Sequence, residues 1–250
     1  MKRKAGLAPL KTATAPKTRL GRPLLSRDVI AERALEVIDA HGLEELSTRK
    51  LARTLGVEAM TLYHHFPTKA ALLDAVAEKL TEMIAPPKLG TDALDTFISG
   101  AHGLYAVAVE HPRAFSLLAT RRANTPAMLA FYDALLAPLL AAGYSPKDAA
   151  LIFRATGYFT LGAGLARVAT FAEEIEGARP LPESAEALAS YPSLSVVAPH
   201  LTRARVDALF DRGLCALSAG LRAGLTVAGE APNEPRGGGH RGGGGKKNRK

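Results

Sequence analysis

Residues 48–66 read TRKLARTLGVEAMTLYHHF, and this segment restricts the fold more than any other part of the chain. Apolar residues at helical spacing lie on both sides of Gly56, which can supply the positive φ that a tight turn between two helices requires. Ala52 is small at the place where the two helices would cross. The pattern predicts a helix-turn-helix over about residues 47–66, with a shared core made by Leu51, Leu55, Val57 and Leu62.

The outward side of this segment would carry polar and aromatic side chains, namely Thr61, Tyr63, His64 and His65. Two ordinary packed helices would show a similar turn, but the spacing, the outward chemistry and a basic segment upstream favour a helix-turn-helix that binds DNA. Adjacent residues on a helix point about 100° apart, so His64 and His65 cannot readily share a metal ion. We therefore expect no metal site here and no cofactor.

The positive charge of the chain lies at its two ends. Residues 1–25 carry +7 and residues 236–250 carry +6, with no acidic residue in either stretch, so a total of +8 leaves −5 for residues 26–235. Basic ends on a mildly acidic body favour attraction to a polyanion, and no apolar face accompanies them as a membrane partner would require. Nucleic acid is the expected partner, although solvated tails that bind nothing specific remain the alternative for the C-terminal segment.

Start and stop signals predict four helices before a break at Pro86 and Pro87. The first is capped by Ser26 and ends at Gly42. The second is capped by Ser47 or Thr48 and ends at Gly56, the third covers 59–66, and the fourth is capped by Thr68 and runs to about Met83. The proline pair is the expected domain boundary.

Longer helices are predicted beyond the boundary, over about 91–111, 113–120, 126–142, 147–175, 183–190 and 200–223. Aromatic residues are only 6% of the chain and Trp is absent, which favours helices that pack on small side chains over a β-sandwich. In the apolar stretch 149–171, Arg154 and Arg167 leave only 155–166 uncharged, which is short of the ~18–20 residues that a membrane span needs. We expect a buried helix that packs in a core or a dimer interface, and no membrane contact.

The fold class is thus predicted to be all-α, with a basic arm over 1–24, a DNA-binding head over 25–85, a larger helical domain over 88–228, and a Gly-rich basic tail over 229–250. The single cysteine, Cys215, and the lack of an apolar run after the N-terminal basic residues predict a cytoplasmic protein. The sequence has no Gly-rich phosphate loop, serine nucleophile motif or paired metal ligands, so an enzyme is the weaker alternative.

The stretch 25–80, with LSTRKLARTLGVEAMTLYHHFPTKAALLDAV at its centre, resembles the N-terminal domain of TetR-family transcriptional regulators. The resemblance implies a three-helix DNA-binding head, which a fourth helix joins to a helical ligand-binding and dimerisation domain. It also implies a homodimer whose two heads occupy successive major grooves of a palindromic operator, roughly 34–36 Å apart.

The resemblance also assigns DNA-contacting positions. Arg49 could donate two hydrogen bonds to guanine, Met60 and Thr61 could contact a thymine methyl, and Tyr63 and Lys69 suit phosphate oxygens. Arg22, in the N-terminal arm, is a candidate for a minor-groove or backbone contact. The full set of expected DNA contacts is Arg22, Thr48, Arg49, Ala59, Met60, Thr61, Tyr63, His64 and Lys69.

The segments HPRAFSLLATR, AAGYSPKDA and TGYFTLGAGL resemble the C-terminal domain of the tetracycline-repressor type. The prototype of that subfamily binds a magnesium–tetracycline chelate through a histidine and a glutamate, whose positions here fall on Leu117 and Ala166. Neither side chain can bind a metal ion. The resemblance therefore predicts a related domain with a different small-molecule effector.

The residues around these positions are mostly apolar, which suits a hydrophobic or aromatic effector oriented by a few polar groups. Arg154 and Arg167 are expected to meet either a partner-subunit anion or a ligand carboxylate. The candidate effector-binding residues are His102, Tyr105, Phe115, Leu117, Thr120, Phe131, Leu135 and Tyr158.

The expected function is that of a repressor that dissociates from its operator when a small effector binds. A dimeric DNA-binding protein with no effector is the alternative, and it would differ because no small molecule would change its affinity for DNA.

Overall fold

The computed structural model describes residues 25–121, 125–176, 188–200 and 206–225, and these form helices and connecting turns with no strand among them. In chain order the helices are α1 (Arg27–His41), α2 (Thr48–Leu55), α3 (Ala59–His65), α4 (Lys69–Glu82), α5 (Ala93–Glu110), α6 (Ser116–Thr120), α7 (Pro126–Ala141), α8 (Pro146–Glu176), α9 (Pro192–Val197), a short 3-10 helix (Ala198–His200) and α10 (Val206–Gly224). The all-α prediction is confirmed. The arm 1–24, most of the predicted helix 183–190 and the tail 229–250 lie outside the described residues.

Three of the first four helices, α1, α2 and α4, begin at side-chain caps. The hydroxyls of Ser26, Ser47 and Thr68 each accept a hydrogen bond from the backbone N–H three residues further along, at 3.0–3.2 Å. Such caps satisfy N–H groups that the first helical turn leaves without a partner. Of the two candidate caps of α2, Ser47 is the one that caps the helix.

The chain divides into two compact units. Among the described residues, the first unit contains 25–85, 106–121, 125–129 and 164–176, and the second contains 86–105, 130–163, 188–200 and 206–225. The first unit therefore includes stretches that lie well beyond Pro86 and Pro87 in the sequence.

In the first unit α1 packs against α4, with Ile30, Ile38, Val76 and Leu80 fully buried. Lys79 fastens the two helices from the edge. Its ammonium group pairs with Asp28 of α1 and with Glu82, 2.8 Å away, and these carboxylates raise the pKa of Lys79 well above its usual range despite partial burial.

The described residues of the second unit form two apolar clusters. One joins α5, α7 and α8 through Leu94, Phe97, Leu135, Leu139, Ala149 and Ile152. The other joins α5 to α10 through Ala101, Tyr105, Phe210 and Leu214. Arg222, near the end of α10, also pairs with Asp92 and Asp95 at 2.9 and 2.6 Å.

Helix α8 is less buried than its apolar sequence predicts. The segment Pro146–Ala169 is long and apolar enough to span a membrane by length and composition alone. Only 28% of its most apolar stretch is buried in the single chain. The sequence left a core and a dimer interface open for this helix, and the single chain buries one side of it: Ile152, Thr156 and Thr160 face inward, while Leu151 and Tyr158, on another side of the helix, are 51% and 66% exposed. The outward side remains available to a partner.

Candidate nucleic-acid interface

The turn between α2 and α3 is built as the sequence predicts. Gly56 adopts a left-handed conformation with φ of 67°, and the backbone N–H of Val57 donates to the carbonyl of Ala52 at 3.0 Å. Leu51, Ala52 and Leu62 are buried on the inner side of the two helices. This packing fixes which side of each helix faces outward.

The outer face of α2 and α3 exposes the large side chains of the predicted DNA contacts. Arg49 and His64 are exposed, and Met60 and Tyr63 are 63% and 45% exposed. The side chains of Arg49, Tyr63 and His64 have no hydrogen-bond or ion-pair partner among the described residues. Thr48, Ala59 and Thr61 belong to the same two helices and are partly buried. Exposed groups that can donate to bases and phosphates thus occupy the predicted positions.

Lys69 is the first residue of α4 and is also exposed without a partner in the described part of the chain. Lys50 differs because its ammonium group already pairs with Glu45 at 3.1 Å. Arg22 lies outside the described residues.

Arg27, which the sequence analysis did not single out, fastens the end of α3. Its guanidinium lies 4.2 Å from the centre of the Phe66 ring and donates a hydrogen bond to the carbonyl of His65. The partners are separated by 38 positions in the sequence, so no local pattern could have indicated the contact.

The predicted effector-binding residues fall in both units. In the first unit, Phe115 and Leu117 are 0% and 2% exposed, while Thr120 is exposed and donates its hydroxyl hydrogen to the Ser116 carbonyl at 2.9 Å. In the second unit, Leu135 is buried, Phe131 is partly buried, and Tyr158 lies on the surface. The last two, His102 and Tyr105, also belong to the second unit.

His102 and Tyr105 of α5 both contact the ring of Phe210 in α10. Tyr105 stacks on Phe210 with the ring centres 4.0 Å apart and donates its hydroxyl hydrogen to Asp207 at 2.7 Å. The ring of His102 meets Phe210 edge-on at 5.4 Å. The sequence analysis missed Asp207 and Phe210, because only the fold brings α5 and α10 together.

Three side chains connect residues 111–121 to α1 and α4 within the first unit. Arg113 donates to the carbonyls of Asp39 and Ala40 at 2.7 and 2.9 Å. Arg121 donates to the carbonyl of Ala70 at 3.0 Å and pairs with Asp74. His111 lies 2.8 Å from a carboxylate oxygen of Asp39, and this hydrogen bond raises the pKa of His111.

Comparison with known families identifies the chain. Residues 30–76 match the model described as bacterial regulatory proteins, tetR family, and residues 86–225 match the one described as the tetracyclin repressor-like C-terminal domain. The chain belongs to the TetR family.

Individual members of the TetR family support the assignment. The tetracycline repressor protein class C of Escherichia coli is 34% identical over 201 residues, which cover 79% of this chain and 90% of the relative. A crystal structure of a possible TetR family transcriptional regulator from Streptomyces coelicolor A3(2) is 32% identical with a TM-score of 0.70, over 79% of this chain and 99% of that one. The S. coelicolor TetR family protein ActR, in complex with (S)-DNPA, is 26% identical with a TM-score of 0.65, over 81% of this chain and 99% of ActR.

This chain is therefore a TetR-family transcriptional regulator and not an enzyme. Its N-terminal helix-turn-helix head binds DNA, and its helical C-terminal domain is of the ligand-binding type.

Proposed function

We propose that this protein is a cytoplasmic repressor that binds a palindromic operator as a homodimer and is released by a small hydrophobic or aromatic effector. In this proposal residues 25–85 form the DNA-binding head, residues 88–228 form the regulatory and dimerisation domain, and the basic segments 1–24 and 229–250 flank them. The observation that carries the proposal is the outer face of α2 and α3, where Arg49, Tyr63 and His64 are exposed without partners among the described residues.

Each exposed group on this face has a chemistry that suits DNA. The guanidinium of Arg49 matches the two acceptors of guanine in the major groove, and Met60 with Thr61 can contact a thymine methyl. Tyr63 and Lys69 are suited to phosphate oxygens, which fix the position of the protein without reading sequence. Thr48, Ala59 and His64 complete the contact set, and Arg22 is proposed to contact the minor groove or the backbone.

Dimerisation is proposed to cover the outward side of α8. Leu151 and Tyr158 are 51% and 66% exposed there, and Gly162 is exposed one turn beyond Tyr158. Outside its own stretch of helix, no atom of the described residues lies within 4 Å of the place that a Cβ of Gly162 would occupy. Apolar side chains beside a small residue allow a second helix to approach closely. A second copy of the chain would also place two heads on one palindrome.

The effector is proposed to differ from a magnesium–tetracycline chelate. Leu117, which is 2% exposed, and Ala166 occupy the positions that the resemblance assigns to the histidine and glutamate of the prototype, and neither offers a metal ligand. Most of the proposed effector contacts are apolar or aromatic, which favours a hydrophobic or aromatic ligand. The eight proposed contacts are His102, Tyr105, Phe115, Leu117, Thr120, Phe131, Leu135 and Tyr158.

Release requires that the effector bind the DNA-competent and the released conformations with different affinities, and a coupling of about 1–3 kcal/mol suffices. Within the first unit, Arg121 and Arg113 are proposed to transmit effector binding to the head, since Arg121 contacts α4 and Arg113 contacts the end of α1. A displacement of α4 would then carry the head with it.

The contact assignment is tested on an operator duplex obtained by selection from random DNA. Arg49→Ala removes two hydrogen bonds to a base, so we expect roughly a tenfold weaker operator affinity by fluorescence anisotropy. Tyr63→Phe removes one phosphate hydrogen bond and is expected to weaken operator affinity by a smaller, several-fold factor.

Matched controls separate these contacts from general surface effects. Arg33→Ala removes an exposed arginine of α1 that pairs with Glu36, and Tyr191→Phe removes the hydroxyl of a tyrosine that is 60% exposed in the second unit. Neither control should change operator affinity. Wild-type affinity in both Arg49→Ala and Tyr63→Phe would refute the assigned contacts.

One observation favours the alternative of an effector-independent dimeric regulator. Tyr105 is 6% exposed with its hydroxyl engaged by Asp207, and Phe115 is fully buried, so both act as core residues in this structure. The two functions are separated by titrating the protein–operator complex with a panel of apolar compounds and, separately, with tetracycline and Mg²⁺. Release by an apolar compound supports our proposal, release by the chelate contradicts the assignment of Leu117 and Ala166, and no release by either favours the alternative.

A further inference from the structure

Arg27 makes two contacts with residues at the C-terminal end of α3. It is the first residue of α1, yet its guanidinium lies 4.2 Å from the centre of the Phe66 ring and donates a hydrogen bond to the carbonyl of His65, the last residue of α3. The Phe66 ring is 3% exposed and belongs to the core of the head. Arg27 therefore fastens the C-terminal end of α3 to the start of α1.

Helix α3 has few other means of holding its position. It has seven residues, Glu58 at its N-cap forms no side-chain cap hydrogen bond, and Leu62 is its only buried residue. Isolated helices shorter than about 12–15 residues are marginal in water, so a helix of this length depends on tertiary contacts. A cation at its C-terminal end also complements the helix dipole and satisfies a carbonyl that the helix leaves without a partner.

The charge of Arg27 is not neutralised by the acidic residue next to it in the sequence. The adjacent carboxylate, Asp28, pairs with Lys79, and no carboxylate of the described residues lies within ion-pair distance of Arg27. Its partners among the described residues are the ring of Phe66 and the carbonyl of His65, and both lie at the end of α3. This geometry separates Arg27 from Arg33, which is on the same helix and pairs with Glu36.

We propose that Arg27 is a positioning residue that sets the orientation of α3 and thereby the placement of Met60, Tyr63 and His64 in the major groove. This inference rests on the proposed function, because it assumes that α3 faces DNA. Arg27 would contribute to sequence discrimination without contacting a base. A base contact requires correct placement of side chains, whereas non-specific binding depends on charge.

The test compares Arg27→Ala and Arg27→Lys with the control Arg33→Ala in the full-length protein. Anisotropy measures affinity for the selected operator and for an unrelated duplex of the same length over a series of salt concentrations. Loss of a cation–π contact and a hydrogen bond predicts roughly a tenfold loss on the operator for Arg27→Ala. Affinity for the unrelated duplex and the salt slope should remain those of the wild type.

Arg27→Lys keeps the charge but lacks the planar guanidinium that stacks on a ring, so its discrimination should fall between Arg27→Ala and the wild type. If Arg27→Ala fails to fold by circular dichroism, Arg27→Lys decides by the same criteria. Arg33→Ala should match the wild type on both duplexes.

Two results would overturn the inference. Equal losses on both duplexes with a salt slope lower by about one would make Arg27 a direct phosphate contact. Unchanged operator affinity in the folded variants would remove any role in binding. Failure of the proposed function would be recognised separately, because the wild-type protein itself would then not distinguish the operator from the unrelated duplex.

Discussion

At the scale of single residues, Met60 is the most exposed large apolar side chain on the proposed interface. It is 63% exposed on α3, whereas Leu62 of the same helix is buried. If Met60 contacts a thymine methyl, Met60→Ala should lower operator affinity by roughly 1 kcal/mol, the lower end of what one base pair contributes. The loss should disappear on operators that lack that thymine.

The matched control is Met83→Ala, since Met83 is 44% exposed at the end of α4, away from α2 and α3 in the sequence. Anisotropy on single-base operator variants provides the measurement. A loss of equal size at every base, or in both methionine variants, would contradict a contact to one thymine.

His111 is expected to make the stability of the first unit depend on pH. The hydrogen bond to Asp39 raises the pKa of His111 above its ordinary value of 6.5, so the folded state favours the imidazolium. Its contribution is complete below pH 6.5 and is lost as the pH rises through the raised value. His111→Gln should therefore lower the free energy of unfolding by about 1 kcal/mol at pH 5.5 and by less at pH 8.5.

Urea unfolding at the two pH values measures this difference. His200→Gln is the control, because His200 is exposed and has no hydrogen-bond partner among the described residues. A difference between His111→Gln and the wild type that grows with pH would show that the neutral imidazole is the stabilising form.

At the scale of helices, α8 packs closely where Gly164 meets the first unit's core. A Cβ at Gly164 would lie 2.4 and 2.5 Å from ring atoms of Phe115, which is fully buried. Gly164→Ala should therefore lower the free energy of unfolding by roughly 1–3 kcal/mol through overpacking. Thermal and urea unfolding provide the measurement.

Gly157→Ala in the same helix is the control, because no described residue outside that stretch of helix has an atom within 4 Å of the added Cβ. There the higher helix propensity of alanine should maintain or raise stability. Equal stability of the two variants would show that the Phe115 ring moves aside without cost.

Local sequence signals were sufficient for the helices of the head and insufficient for its long-range contacts. Ser26, Thr68 and Gly56 act within three or four residues, and the structure places each where the pattern predicts it. The predicted start of α5 at residue 91 is two residues early, because Asp92 caps the helix that begins at Ala93: its carboxylate accepts a hydrogen bond from the backbone N–H of Asp95 at 2.9 Å. The residues of the outer face were predictable from helical spacing and the resemblance to the TetR family.

Contacts between distant segments left no such signal. Arg27 follows a capping serine as many residues could, and nothing near it in sequence indicates Phe66. Tyr105 has the spacing of a core or a pocket residue, and only its stacking on Phe210 shows which of these it is in the single chain. For α8 the sequence left a core and a dimer interface open, because an apolar composition does not specify whether the partner helix belongs to the same chain.

At the scale of the whole molecule, we predict that the outward side of α8 mediates dimerisation. Leu151→Glu would bury a carboxylate without a partner in that interface, which costs several kcal/mol, so the variant should sediment as a monomer. Leu140→Glu is the matched control, since Leu140 is 50% exposed on α7 and Leu151 is 51% exposed on α8. Dimers of normal strength in Leu151→Glu would place the interface elsewhere.

The central claim is that the outer face of α2 and α3 reads a palindromic operator, and selection from a random duplex library tests it most directly. The purified protein is incubated with the library at near-physiological salt, and the bound DNA is sequenced. We predict an enriched palindrome with two half-sites spaced for a dimer, and the loss of that enrichment in Arg49→Ala. Binding that enriches no sequence and collapses as salt rises would show that the basic segments dominate, and it would contradict sequence reading by this face.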